Sequence, residues 1–200
     1  MKLRSVAVFL AVALLSAAAH AQTGVYLAFD AQQFTQNGVN AIPHPSGNTD
    51  RPWLFGPSYG IYYNVTHLPR LGALHTGPVV LGIDGRGDTL RLSEYGSQLD
   101  RQDGILSLRV ATKDKYKGLT PYAQAGFGIG HTRIPYAAHY SNNFIYQFGV
   151  GVDRNIRGRL DWRIVEGDAG SLGGYVVGHG ANQSNYLITL STGLVFRLHK

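Results

Sequence analysis

From residue 22 onward the chain alternates apolar residues with polar or small ones at a period of two, in eight successive stretches. The last stretch, Asn185–Leu198, shows the pattern most fully. Tyr186, Ile188, Leu190, Thr192, Leu194, Phe196 and Leu198 form one row, and Leu187, Thr189, Ser191, Gly193, Val195 and Arg197 form the other. Successive side chains on a strand point to opposite faces. This strand therefore has one apolar side and one side that is wet or tightly filled. It is longer than the roughly 3–10 residues usual in soluble strands. It suits a tilted strand that crosses a bilayer, which needs roughly 9–11 residues in the hydrocarbon. The alternative is an edge strand of a soluble β-sandwich.

Seven further stretches repeat the alternation. They are Gln22–Phe34, Leu54–Asn64, Gly77–Arg86, Ile105–Lys113, Leu119–Thr132, Asn143–Asp153 and Gly158–Glu166. Val25, Leu27 and Phe29 oppose Tyr26, Ala28 and Asp30 in the first, and Leu160, Trp162 and Ile164 oppose Arg159, Asp161 and Arg163 in the seventh. Each is a weak signal alone, but eight in succession predict an all-β chain, an eight-stranded antiparallel up-and-down transmembrane β-barrel. The connections 35–53, 87–104, 133–142 and 167–184 are mostly long and rich in turn-forming residues, whereas Asp114–Gly118 and Arg154–Arg157 are short. Residues 65–76 are the exception on the short side. Long loops at one end and short turns at the other are the outer-membrane pattern, and an even strand count returns both termini to the periplasmic side.

The first residues change where this barrel is expected. Lys2 and Arg4, the apolar run Val6–Ala19 and the sequence Ala19-His20-Ala21 form a secretory signal, with cleavage before Gln22. Residues 1–21 are then a leader and 22–200 the barrel domain, exported to the outer membrane of a Gram-negative-type bacterium. The apolar run falls short of the roughly 20 residues of a spanning helix. Glycine is abundant at 26 residues, only 15% of residues are charged and cysteine is absent. That composition fits turn-rich β-structure and excludes disulfide or cysteine–metal frameworks. The net charge of +6 includes Lys2 and Arg4, and the remaining basic residues form no run, so nucleic-acid binding is not expected.

Three stretches carry a resemblance. They are Thr120-Pro-Tyr-Ala-Gln-Ala-Gly-Phe-Gly-Ile-Gly130, Phe148-Gly-Val-Gly-Val-Asp153 with Arg159-Leu-Asp-Trp-Arg-Ile164, and the final strand with Phe196. In these the chain resembles the small OmpA-like outer-membrane β-barrel family. It departs from the family in that Arg197, Leu198, His199 and Lys200 follow the terminal aromatic, and no peptidoglycan-binding domain is expected. The resemblance implies a non-enzymatic barrel with a structural or loop-mediated surface role. Its implied partners are outer-membrane lipid and lipopolysaccharide, and the assembly machinery through the C-terminal strand. A monomer is expected.

Candidate chemistry is sparse. The inward rows carry Asp30, Asp84, Arg86, Arg109, Gln124, Gln147, Asp153, Arg159, Asp161, Arg163 and Arg197. These suit either a narrow polar pore or, as preferred here, a filled interior whose charges pair. The same small and charged rows argue against a lipocalin-like binder, which needs an apolar interior. His139-Tyr-Ser141 with Asn142 resembles the His-x-Ser-Asn element of the lipid A deacylase family, which would make His139 a base and Ser141 a nucleophile. A polar surface loop before strand six is the preferred reading, with Asp153 the only nearby acid. Arg86-Gly87-Asp88 matches an integrin-binding tripeptide but begins inside a strand. His44, His131, His139 and His179 lack metal-ligand spacing. Asn64-Val-Thr66 and Asn182-Gln-Ser184 are sequons without meaning in a bacterium. Gly167–Gly180 lacks a phosphate-loop lysine and reads as an outer loop. No catalytic, cofactor or metal residue is assigned.

Overall fold

The computed structural model describes residues 23–34, 53–68, 79–94, 97–112, 118–134, 139–174 and 184–198. The signal segment, His44 and His179 lie outside the described residues. Eight strands follow one another: β1 (Thr23–Phe34), β2 (Trp53–Leu68), β3 (Val79–Glu94), β4 (Ser97–Thr112), β5 (Leu119–Ile134), β6 (His139–Arg157), β7 (Leu160–Gly174) and β8 (Ser184–Arg197). Each pairs antiparallel with the next, and β1 pairs with β8, so the sheet closes into a barrel. Closure leaves no unpaired sheet edge, the condition a sheet must meet to sit in hydrocarbon.

The two rows of each strand separate as alternation requires. Leu27 (63% exposed), Phe148 (71%) and Ile129 (72%) face outward, while Asp30, Arg163 and Glu166 are at most 1% exposed inside. Aromatic pairs reinforce the outer belt, with Phe29 stacked on Phe55 and Phe127 on Phe144 at ring-centroid distances of 6.3 and 6.4 Å. One end of the barrel carries the connections 35–52, 95–96, 135–138 and 175–183, here termed the loop end. The other carries 69–78, 113–118 and 158–159 together with Thr23 and Arg197, and is the turn end. Gly118 (φ 82°) and Gly158 (φ 56°) sit in turns of that end, in the left-handed region that glycine enters without a Cβ clash.

Several expected boundaries move. Residues 87–104 are not a long loop, because β3 and β4 run on as one ladder from Val79↔Thr112 to Glu94↔Ser97. The alternation continued through Asp84-Gly-Arg86-Gly-Asp88, but polar and glycine content disguised it as turn chemistry. Gly167–Gly174 belongs to β7 rather than to a loop, and His139–Ser141 opens β6 rather than preceding it. Arg159 is not in the lumen, since it lies exposed in the β6–β7 turn, where its carbonyl accepts the Arg197 N–H at 2.8 Å. A bulge in β7 inserts Ile164: Arg163 pairs with Asp153 and Val165 with Val152. One inserted residue reverses the phase of everything beyond it. Ile164 is therefore half-buried rather than a lipid-facing residue, Val165 faces out, and Glu166 and Asp168 turn inward.

The outward belt gives a direct prediction. Phe148→Arg places a charge in hydrocarbon and should destabilise the barrel by about 2–4 kcal/mol near the midplane. Phe148→Leu should remain near wild type. Urea unfolding in lipid vesicles compares the two, and equal stability would show that β6 does not face lipid with this row.

Candidate functional site

The lumen collects most of the chain's buried chemistry, and glycine makes room for it. A Cβ on Gly151 would stand 2.4 Å from the Tyr122 ring, and one on Gly60 2.4 Å from the Tyr26 ring. The small residues on one strand are thus the seats of long side chains from the next. Tyr26, Tyr62 and Tyr122 turn inward on these seats and wall two arginines. The Arg109 guanidinium lies 3.7 Å from the Tyr122 ring centroid and 4.4 Å from that of Tyr62, and Arg163 lies 4.2 Å from that of Tyr26. Such stacking is strongest where water is excluded.

Carboxylates bind the arginines into one network across the lumen. Glu166 is paired with Arg86, lies 3.1 Å from Arg163 and accepts the Tyr122 hydroxyl. Arg86 also reaches Asp168 at 3.0 Å and Asp88 at 3.6 Å. Asp153 joins Arg109 at 2.8 Å to Arg163 at 3.4 Å, and Tyr26 donates to Asp84 at 2.7 Å. Toward the loop end, Arg101 pairs with Asp103 at 2.9 Å, and Gln32 bridges Asp103 and Thr189 at 3.3 Å each. Toward the turn end, Arg197 pairs with Asp161 at 2.9 Å. Asp30 accepts from Ser58 at 2.7 Å.

The loop-end half of the lumen also contains an apolar cluster. Leu54, Leu90, Ile105, Ile145, Leu172 and Leu187 pack together there. The inward rows are therefore not uniformly small and charged, as the sequence reading held. Most of these leucines and isoleucines sit where β2, β6, β7 and β8 meet the loop end. Together the cluster and the ion network fill the interior, as expected of a barrel only eight strands wide.

Of the expected inward residues, the structure brings Asp30, Asp84, Arg86, Arg109, Gln124, Gln147, Asp153, Asp161, Arg163 and Arg197 into the lumen and leaves Arg159 outside. Arg86 and Asp88 are both buried, so Arg86-Gly87-Asp88 is not displayed as an adhesive tripeptide. Asn142 is exposed and its Oδ1 lies 2.7 Å from His131 Nδ1. Asn64-Val-Thr66 spans a register shift in β2. Asp88, Arg101, Asp103, Glu166 and Asp168 went unrecognised. A period of two continued from Asp84 and back from Arg109 reaches the first three. No local signal marks the β7 bulge that brings in the last two.

Removing one arginine should expose how these charges depend on each other. Arg163→Leu leaves Glu166 and Asp153 short of a partner and should cost about 3–5 kcal/mol. Adding Glu166→Gln should recover part of that loss. Asp88→Asn should cost no more than about 1 kcal/mol, because neither Asp88 carboxylate oxygen has a hydrogen-bond partner to lose. Urea unfolding of the four proteins in vesicles distinguishes a coupled network from independent pairs.

No family model matches the chain, and no curated protein matches it in sequence. Solved structures do match in shape. Neisserial surface protein A is similar with a TM-score of 0.57 at 11% identity, over 87% of this chain and 96% of that one. Ail, the attachment invasion locus protein of Yersinia pestis, is similar with a TM-score of 0.51 at 10% identity, over 88% of this chain and 98% of that one. At such identity the likeness speaks to fold: the chain has the architecture of a small eight-stranded outer-membrane barrel.

Proposed function

We propose that this chain is a non-enzymatic, monomeric outer-membrane barrel that contributes to the envelope structurally and meets the exterior through its loop end. One observation carries the reading: the walls form an apolar belt while the lumen is filled by a network of ion pairs and an apolar cluster. A filled lumen offers a solute no path, which leaves the rims and the outer wall as the surfaces for contact. The connections 35–52 and 175–183 give the loop end its longest segments, and Thr23 of β1 and Arg197 of β8 lie opposite, so the loop end is assigned to the exterior. Ail has been crystallised with the heparin analogue sucrose octasulfate, and a comparable contact with external molecules suits this chain's loop end. The lipid-facing Phe196 in β8 suits recognition by the assembly machinery.

Membrane fractionation with gels of unheated and boiled samples tests the placement. The folded protein should stay with the outer membrane and change mobility on boiling, and recovery in the soluble periplasm would refute the proposal. Planar bilayers should show no large, steady conductance. Lipid A incubated with wild type or with Ser141→Ala should release no fatty acid. Release by wild type that disappears in the variant would instead establish a deacylase.

A further inference from the structure

Among the described residues, the outward face of β3 and β4 leaves a gap in the apolar belt. Across the outer wall, Ile61, Gly85 and Leu106 form one row, and Tyr59, Gly87, Gly104 and Ile129 form the next toward the loop end. Most outward positions of the belt bear large side chains, but three here bear none. A Cβ on Gly104 would have no heavy atom within 4 Å, and one on Gly85 would meet only the Ile61 carbonyl oxygen at 4.0 Å. Gly87 is partly covered by the Tyr59 ring. The result is a slot in the hydrocarbon-facing wall, with Tyr59 and Ile61 on one side and Leu106 and Ile129 on the other.

The slot leads into a polar rim. The next outward rows are Thr89, Gln102, His131 and Asn142, then Arg91, Asp100 and Arg133. Arg91 and Arg133 are exposed, and Arg91 Nε is held by Asp100 at 2.7 Å with 64% of the Arg91 side chain exposed. Four residues of strand separate Gly104 from Asp100, roughly 13 Å of rise. That distance sets a cationic rim directly above an acyl-wide slot. The guanidinium groups match phosphate. Asp100, Gln102 and Asn142 supply acceptors and donors that suit sugar hydroxyls, which a simple glycerophosphate headgroup does not present in number.

We propose that this wall is a binding site for a phosphorylated glycolipid, with one acyl chain in the slot over Gly85 and Gly104 and a sugar phosphate held by Arg91 and Arg133. The site rests on the orientation proposed above, which puts the loop end in the outer leaflet. Full-length exported protein, purified from membranes in detergent, would be titrated with diphosphorylated lipid A and, separately, with phosphatidylglycerol, and bound lipid counted by native mass spectrometry. Wild type should retain one lipid A and bind phosphatidylglycerol at least about tenfold more weakly. Gly104→Leu fills the slot from a position where a Cβ meets no heavy atom within 4 Å, and Arg91→Gln with Arg133→Gln removes the charge while leaving the slot open. Each should weaken lipid A binding by about tenfold or more. Phe148→Leu, on a strand away from the slot, should bind as wild type does, and boiling-dependent gel mobility confirms that each variant is folded. Binding unchanged in folded Gly104→Leu, or equal binding of both lipids, would overturn the site. Fractionation fails separately: a periplasmic location would refute the membrane placement whatever lipid binds in detergent.

Discussion

Glu166 is the point on which the interior of the barrel depends. It sits in the lumen in contact with Arg86 from β3, Arg163 from its own strand and Tyr122 from β5. A carboxylate removed from water is tolerated only where opposite charge and hydrogen bonds replace its hydration. Glu166 meets that condition by drawing groups from across the barrel, and each of those arginines carries the pairing onward to Asp168 or to Asp153. The hydrogen-bonded ladders close the cylinder, whereas these contacts fix which side chains fill it. An eight-stranded barrel with purely apolar walls could accept many fillings, but one with paired charges tolerates few.

The same network is not neutral among the described residues. Asp30, Asp84, Asp88, Asp103, Asp153, Asp161, Glu166 and Asp168 are buried, against Arg86, Arg101, Arg109 and Arg163. Arg197 adds a partly buried fifth cation. The acid surplus falls on Asp30, Asp84 and Asp88, where arginine contact is long or lacking; the Ser58 hydroxyl donates to Asp30 and the Tyr26 hydroxyl to Asp84 instead. The arginines are therefore the scarce partners. Each serves more than one acid at Arg86, Arg109 and Arg163, so loss of a base and loss of an acid are unequal injuries.

Strand count, membrane-facing rows and most inward charges were legible in the sequence, because a barrel wall between lipid and lumen forces strict alternation. Val25, Leu27 and Phe29 against Tyr26 and Asp30 needed no further information. What failed did so for identifiable reasons. Asp-Gly and Arg-Gly repeats in β3 look like turns when read by composition, yet the lumen requires those very residues. The inserted Ile164 has no sequence mark, because a bulge is set by the register of β6 and β8 on either side, and it alone moved Glu166 from lipid to lumen. Tyrosines such as Tyr122 were hard to place because their rings fit either an interfacial girdle or a glycine seat. Only the facing strand, which puts Gly151 opposite Tyr122, decides between them.

Glycine does opposite things on the two faces of this wall. Inside, Gly60 and Gly151 are occupied space, since neighbouring rings already lie where a Cβ would go. Outside, Gly85 and Gly104 are open space, since almost nothing from the protein approaches them. A strand interior gains nothing from an exposed glycine, which weakens β-structure and leaves no side chain to pack. Gly85 on β3 and Gly104 on β4 therefore cost the sheet stability with almost no internal contact to offset them. The lipid that surrounds the barrel can supply that contact, and the arginines, about 13 Å nearer the loop end, would discriminate among lipids by headgroup.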